Sequence, residues 1–170
     1  MSSFLRFFLD RWRFFALLAS GAMLAIAHAF ETFGGFAPCE LCLKQRSVYW
    51  VAAGLAAAAM VVVRLPGGPR WRELSCWLLA LVFLTTAGVA GYHAGVEWKF
   101  WPGPQSCSGA GTVTVAALKD LLNGGGAKMP NCDKPAWVFL GLSMAGWNTI
   151  ASLILVSFSF AAARRERAKA

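Results

Sequence analysis

The chain has 170 residues, 58% of them hydrophobic, and carries 16 basic against 8 acidic side chains for a formal charge of +8. So few charges leave too little polar surface for a soluble helical protein, and the lack of period-two alternation excludes a membrane β-barrel. Four segments hold no Asp, Glu, Lys or Arg at all: Phe14–Phe30, Ser47–Val63, Leu74–Val96 and Pro135–Ala163. A helix of about 20 mainly apolar residues crosses the ~30 Å hydrocarbon layer, where the backbone must satisfy its own hydrogen bonds. The expected fold class is an all-α membrane protein, a four-transmembrane-helix bundle forming one domain over 1–170. Its helices are expected near 14–31, 47–64, 74–96 and 136–162, with outer loops at 32–46 and 97–135.

The N-terminal arm holds Arg6, Arg11 and Arg13 against Asp10, a net +2. The stretch ending Ala27-His28-Ala29 has the basic start, apolar middle and small-residue end of a signal peptide. An uncleaved helix is expected instead, because it pairs with the other three, and His28 reads as a polar residue at its end. The 64–73 connection carries +2 and the tail +3, against 0 for 31–46 and +1 for 97–134. Basic segments stay on the cytoplasmic side, which places both termini and the 64–73 connection inside and the other two loops outside. The positive charge is thus a topology signal and gives no support to nucleic-acid binding.

The first outer loop ends in "PCELCLKQR", Pro38 to Arg46. Pro38 suits the first turn of a helix, which would set Cys39 and Cys42 at the N-terminus of the second span. There the unpaired N–H groups and the helix dipole favour a thiolate. Cys39, Cys42 and Arg46 are spaced three and four apart and share one helical face; Lys44 does not. A bridge across so short a loop removes little unfolded-chain entropy and belongs to the reducible kind, so this pair reads as chemical. Arg46 either supports anionic chemistry at the interface or snorkels at a helix end; position alone leaves both open.

Cys76 stands alone near the inner end of the third span and reads as a small apolar packing residue. That span ends in "YHAGVEW", and Trp98, Phe100 and Trp101 form an interfacial aromatic belt. The second outer loop holds Cys107 and Cys132 with 24 residues between them; taken alone, this pair fits a loop staple. Two outer pairs and one inner thiol match an oxidising exterior and a reducing cytoplasm. A zinc site is not expected, since the second pair lacks a tight spacing and no external histidine follows at ligand distance. Covalent haem would need histidine where Leu43 stands. Within this loop "TVTVAALKDLLN" has the spacing of a short amphipathic helix lying in the interface, and Gly124–Gly126 form a flexible joint.

On "PCELCLKQR", "YHAGVEW", a widely spaced second pair ending in "NCDKPAW" and the four-helix plan, the sequence resembles the disulfide bond formation protein B (DsbB) family of bacterial inner-membrane thiol–quinone oxidoreductases. The resemblance spans most of residues 14–160. It implies that a reduced periplasmic DsbA-like oxidase attacks Cys107 of a Cys107–Cys132 disulfide and that Cys132 then exchanges with Cys39. Electrons so reach the Cys39–Cys42 pair, and Cys42 engages ubiquinone or menaquinone through a thiolate–quinone charge-transfer complex, with neither metal nor haem. It further implies that Arg46 supports quinone binding and that His93, about 30 Å along the third span from its inner end, lies near the quinone. A histidine capping a helix end is the alternative for His93. Gln45 departs from the glutamate of other members. The competing identities are a DsbB-like oxidase for a dedicated partner, a vitamin K epoxide reductase-type enzyme, and a non-catalytic scaffold whose disulfides brace its loops.

Overall fold

The computed structural model describes residues 3–66, 68–104 and 132–169. A short helix α1 (Ser3–Asp10) leads into α2 (Trp12–Thr32), followed by α3 (Glu40–Val62), α4 (Gly68–Glu97), a two-stranded hairpin β1 (Val138–Phe139) and β2 (Leu142–Ser143), and α5 (Met144–Arg167). Four of the helices are long and apolar enough to span a bilayer: α2, α3, α4 from Arg70 onwards, and α5. The expected four-helix membrane bundle is what the chain forms. The amphipathic segment and glycine joint expected between the second pair of cysteines, and Cys107 itself, lie outside the described residues.

The helices follow one another around the bundle, α2 against α3, α3 against α4, and α4 along α5, while α2 and α5 touch only sparsely. Small residues make the close approaches, as expected where lipid supplies no hydrophobic drive between helices. Ala52 and Ala56 of α3, Ala16 and Ser20 of α2, and Ala162 and Ala163 of α5 are all fully buried. Trp12, Leu79 and Phe83 are the largest fully buried side chains of the core, and the Trp12 indole donates to Ser159 Oγ at 2.9 Å.

Several boundaries differ from the charge-free stretches, α4 starting at Gly68 and α5 running on to Arg167, and two of the differences have identifiable reasons. Helix α3 begins at Glu40 instead of near 47. Its early charges are neutralised locally, Lys44 by Glu40 at 2.6 Å and Arg46 by Glu31, so they do not end the helix. In the opposite sense, residues 136–143 carry no charge yet are not helical. Leu140 and Gly141 both have positive φ, 51° and 79°, the pair of conformations that a tight two-residue hairpin turn requires. Helix α5 starts only after that hairpin, with Ser143 as its N-cap accepting from the Gly146 N–H at 3.1 Å.

The aromatic residues after α4 also do more than form a belt. The chain turns back at Lys99 (φ 63°), stacking Trp101 on Tyr92 with ring centroids 5.8 Å apart. The Trp101 indole donates to the Tyr92 carbonyl at 3.0 Å. Its ring occupies the notch over Gly95, where an added Cβ would come within 2.1 Å of it.

Candidate active site

The N-terminus of α3 positions the first cysteine pair. Cys39 is the N-cap residue, with Pro38 just before it and not in the first turn, and its sulfur accepts the Cys42 backbone N–H at 3.3 Å. The Cys39 and Cys42 sulfurs lie 2.8 Å apart, and both cysteines are free. Cys39 is buried at 5% exposure while Cys42 is more open. Hydrogen bonding to the Cys42 sulfur, reinforced by burial, holds the Cys39 thiol far above the ordinary thiol range.

The last turns of α4 bring His93 against this pair. His93 Nε2 is 3.7 Å from Cys39 Sγ and 3.8 Å from Glu97 Oε1, and the ring also hydrogen-bonds the Cys132 backbone. Cys132 is disulfide-bonded, 1% exposed, and packs in one cluster with Cys39 and Leu41. Lys99 Nζ reaches Asp133 Oδ2 at 2.7 Å and its carbonyl at 2.8 Å, tying the segment after Cys132 to the end of α4. The same hydrogen bond lowers the Asp133 carboxyl pKa.

The residues singled out in the sequence therefore converge, apart from Cys107, which lies outside the described residues. The spacing argument against histidine ligation misses a contact that only the fold creates, since the donor atoms of Cys39, Cys42 and His93 lie within 4.8 Å of one another. The Arg46 side chain is 14% exposed and paired with Glu31 of α2, and its second nitrogen donates to the Ala27 carbonyl at 2.8 Å. Cys76 is buried as expected but is not in purely apolar surroundings, because Arg13 Nη1 lies 3.6 Å from its sulfur.

Beside the pair lies a cavity of about 990 Å³ in the gap where α2 and α5 separate. Cys42, Arg46, His93 and Glu97 are among its polar lining residues. Phe30, Trp137, Phe139 and Trp147 form an aromatic wall in successive ring contacts of 5.4, 5.6 and 6.3 Å. An apolar pocket with a few convergent polar groups is the usual form of a small-molecule site.

Several lining residues went unremarked in the sequence. Glu97 has its side chain 5% exposed and accepts from the Ser143 hydroxyl; its place one turn after His93 was a readable signal. Gln45, Tyr49 and Asn148 join His93 in a buried polar string. The signal for Tyr49 and Asn148 was a polar side chain inside an apolar span, where such groups are costly and functional by default; Gln45 stood out in the sequence only as a departure from the family's glutamate.

Fold and site together define a polytopic membrane protein with a buried, paired-cysteine centre at one end of its bundle and a cavity opening beside it. Over residues 10–162 the chain matches the family model described as Disulfide bond formation protein DsbB, and it belongs to that family of disulfide-forming membrane oxidoreductases. It is 32% identical over 151 residues to Disulfide bond formation protein B of Methylococcus capsulatus, covering 84% of this chain and 86% of that one. It is 31% identical over 146 residues to Disulfide bond formation protein B 2 of Pseudomonas entomophila, covering 84% and 83%. No solved structure matches the chain.

Proposed function

We propose that this protein is a protein-dithiol:quinone oxidoreductase that reoxidises a DsbA-like thiol oxidase and so sustains disulfide bond formation. In this reading the chain is one domain of the bacterial inner membrane, with both termini cytoplasmic and both cysteine pairs periplasmic. The observation that carries it is the packing of disulfide-bonded Cys132 against a free Cys39–Cys42 pair beside a ring-sized apolar cavity.

The steps balance as exchanges of sulfur bonds. A partner thiolate attacks Cys107, and the Cys107–Cys132 bond breaks with Cys132 leaving as thiolate. The partner's second thiolate closes its own disulfide and releases Cys107. Cys132 then attacks Cys39 of an oxidised first pair, expelling Cys42 as thiolate, and Cys107 recaptures Cys132 to release Cys39. Two electrons now reside on the Cys39–Cys42 dithiol. A bound quinone, ubiquinone or menaquinone, supplies the acceptor for two electrons and two protons as the Cys39–Cys42 disulfide re-forms. Arg46, held by Glu31 and the Ala27 carbonyl, keeps a fixed positive charge in the wall of the cavity that Cys42 also lines.

A partner lacking its resolving cysteine tests the entry point. Mixed with the oxidised protein it should form a mixed disulfide at Cys107, lost in Cys107→Ser. An adduct mapped by mass spectrometry to Cys39 or Cys42 would place the entry point elsewhere.

A further inference from the structure

Behind His93 runs a string of buried side chains drawn from α3 and α5. Tyr49 Oη lies 3.0 Å from Ser152 Oγ and donates to Asn148 Oδ1 at 2.7 Å. Asn148 Nδ2 donates to Gln45 Oε1 at 2.5 Å, and Gln45 Nε2 lies 3.0 Å from His93 Nδ1. All five residues are buried. Among the described residues, every buried side-chain nitrogen and oxygen has a partner.

Such a string has a direction. A primary amide donates only through nitrogen and accepts only through oxygen, so orienting one amide orients the next. The Tyr49 hydroxyl donates to Asn148, which turns the Asn148 nitrogen to Gln45 and the Gln45 nitrogen to His93. The ring nitrogen facing an N–H donor must present a lone pair, and neutral imidazole then carries its proton on the other nitrogen. That other nitrogen is the one facing Cys39 Sγ at 3.7 Å.

We propose that the Tyr49–Asn148–Gln45 string fixes the His93 tautomer, so that its Nε2–H points at the Cys39 sulfur and stabilises that sulfur when it is expelled as thiolate. His93 is then a catalytic residue touching the reacting atom, and Gln45, Asn148 and Tyr49 are positioning residues acting through it. The step served is the one in which Cys107 forms its bond to Cys132 and the Cys132–Cys39 bond breaks, leaving the electron pair on Cys39. The opposite tautomer would set a lone pair against that charge. Interhelical glue alone would need the hydrogen bonds but not their direction. The assignment rests on the relay described above, yet its primary readout does not depend on quinone.

The test uses the full-length protein in nanodiscs with ¹⁵N-labelled histidine, His93 being identified by the loss of its signals in His93→Gln. Wild type should show His93 as the Nε2–H tautomer. In Asn148→Asp with its carboxyl ionised, both side-chain oxygens are acceptors, so Gln45 must turn its nitrogen to residue 148 and its oxygen to His93. The His93 proton should move to Nδ1, although neither His93 nor its direct partner has been changed. Electron transfer from a pre-reduced second pair to the first, followed by acid quench and alkylation, should slow by about 10- to 100-fold, the range for losing a hydrogen bond to a charged group. A wild-type Nδ1–H tautomer, or an Asn148→Asp protein that keeps both the Nε2–H form and its exchange rate, would overturn the proposal. Should Asn148→Asp not fold, Tyr49→Phe combined with Ser152→Ala removes both orienting donors, since the Ser152 hydroxyl also donates to Asn148 Oδ1 at 3.5 Å. It should give a mixture of tautomers, and a single unchanged tautomer there sinks the idea equally. Normal tautomer behaviour with no quinone reduction would instead count against the relay and leave the string standing.

Discussion

The two ends of the bundle carry similar parts and put them to different uses. At one end Cys76 is fully buried with Arg13 3.6 Å away and its span begun by the basic 64–73 connection. At the other, Cys39 is buried beside a second thiol 2.8 Å away, with His93 3.7 Å from its sulfur and a cavity opening next to Cys42 and Arg46. A buried cysteine near an arginine is therefore not enough for redox work. What separates the ends is a partner sulfur, a histidine in contact and an adjoining cavity. At the Cys76 end Asp10, Arg165 and Lys169 instead close a clasp between α1 and α5.

The sharpest way to break this contrast is to exchange sulfur for oxygen at each end. Cys42→Ser should cut quinone-dependent turnover by on the order of 10³-fold or more, since it removes the attacking thiolate. Cys76→Ser should leave turnover within about two-fold, because a buried structural thiol is chemically inert. Turnover in Cys42→Ser, or its loss in Cys76→Ser, would erase the distinction.

A second contrast lies along α4. At Gly95 an added Cβ meets the Trp101 ring at 2.1 Å, whereas at Gly88 nothing lies within 4 Å. Gly95→Ala should expel Trp101 from its place on Tyr92 and destabilise the protein by about 1–3 kcal/mol, as overpacking does. Gly88→Ala should be neutral or gain a few tenths of a kcal/mol from helix propensity. Thermal unfolding in detergent, followed by tryptophan fluorescence, separates the two; equal midpoints would mean that Trp101 does not need the notch.

Arg46→Ala should raise the apparent KM for quinone by about 10-fold, the effect of losing one charge-assisted contact. Titration of initial rate against quinone concentration reads it directly. An unchanged KM would make Arg46 a tie between α2 and α3 and nothing more.

The smallest effect belongs to the clasp at the Cys76 end. Hydrogen bonding to Arg165, with Lys169 adding to it, depresses the Asp10 carboxyl well below the usual carboxylate range. A depressed folded-state pKa contributes stability above the unfolded-state value, about 4, and that stability is lost as pH falls toward the folded-state value. The stability difference between wild type and Asp10→Asn should thus be constant from about pH 7 to 5 and shrink below about pH 4. Its size should stay under about 1 kcal/mol, because the pair is solvent-accessible. A difference that grows on acidification has the wrong sign for the clasp.

The spans were legible in the sequence because charge is excluded from lipid, and that rule also explains two of the errors at their ends. Charges that find partners, such as Lys44 with Glu40 and Arg46 with Glu31, are admitted to a helix that charge counting truncates. Uncharged residues such as Leu140 and Gly141 can turn a hairpin, which charge counting takes for helix. At the site, Cys39, Cys42 and Arg46 were legible because their spacing is that of one helical face. His93 came forward only through resemblance, and its contact with Cys39 joins residues 54 positions apart. The Gln45–Asn148 bond joins residues 103 apart, and no local pattern encodes which amide will face which. Sequence periodicity names the face a side chain occupies, while the packing of α3 against its neighbours decides what that face meets.

The central claim is that electrons reach quinone through the Cys39–Cys42 pair. The most direct measurement is anaerobic: purified protein, a reduced DsbA-like dithiol partner and one quinone at a time, with quinone absorbance followed to completion. The account predicts one quinone lost per partner disulfide formed, and no loss in Cys39→Ser or Cys42→Ser. Quinone loss that persists in either variant, or partner oxidation without quinone loss, would contradict it.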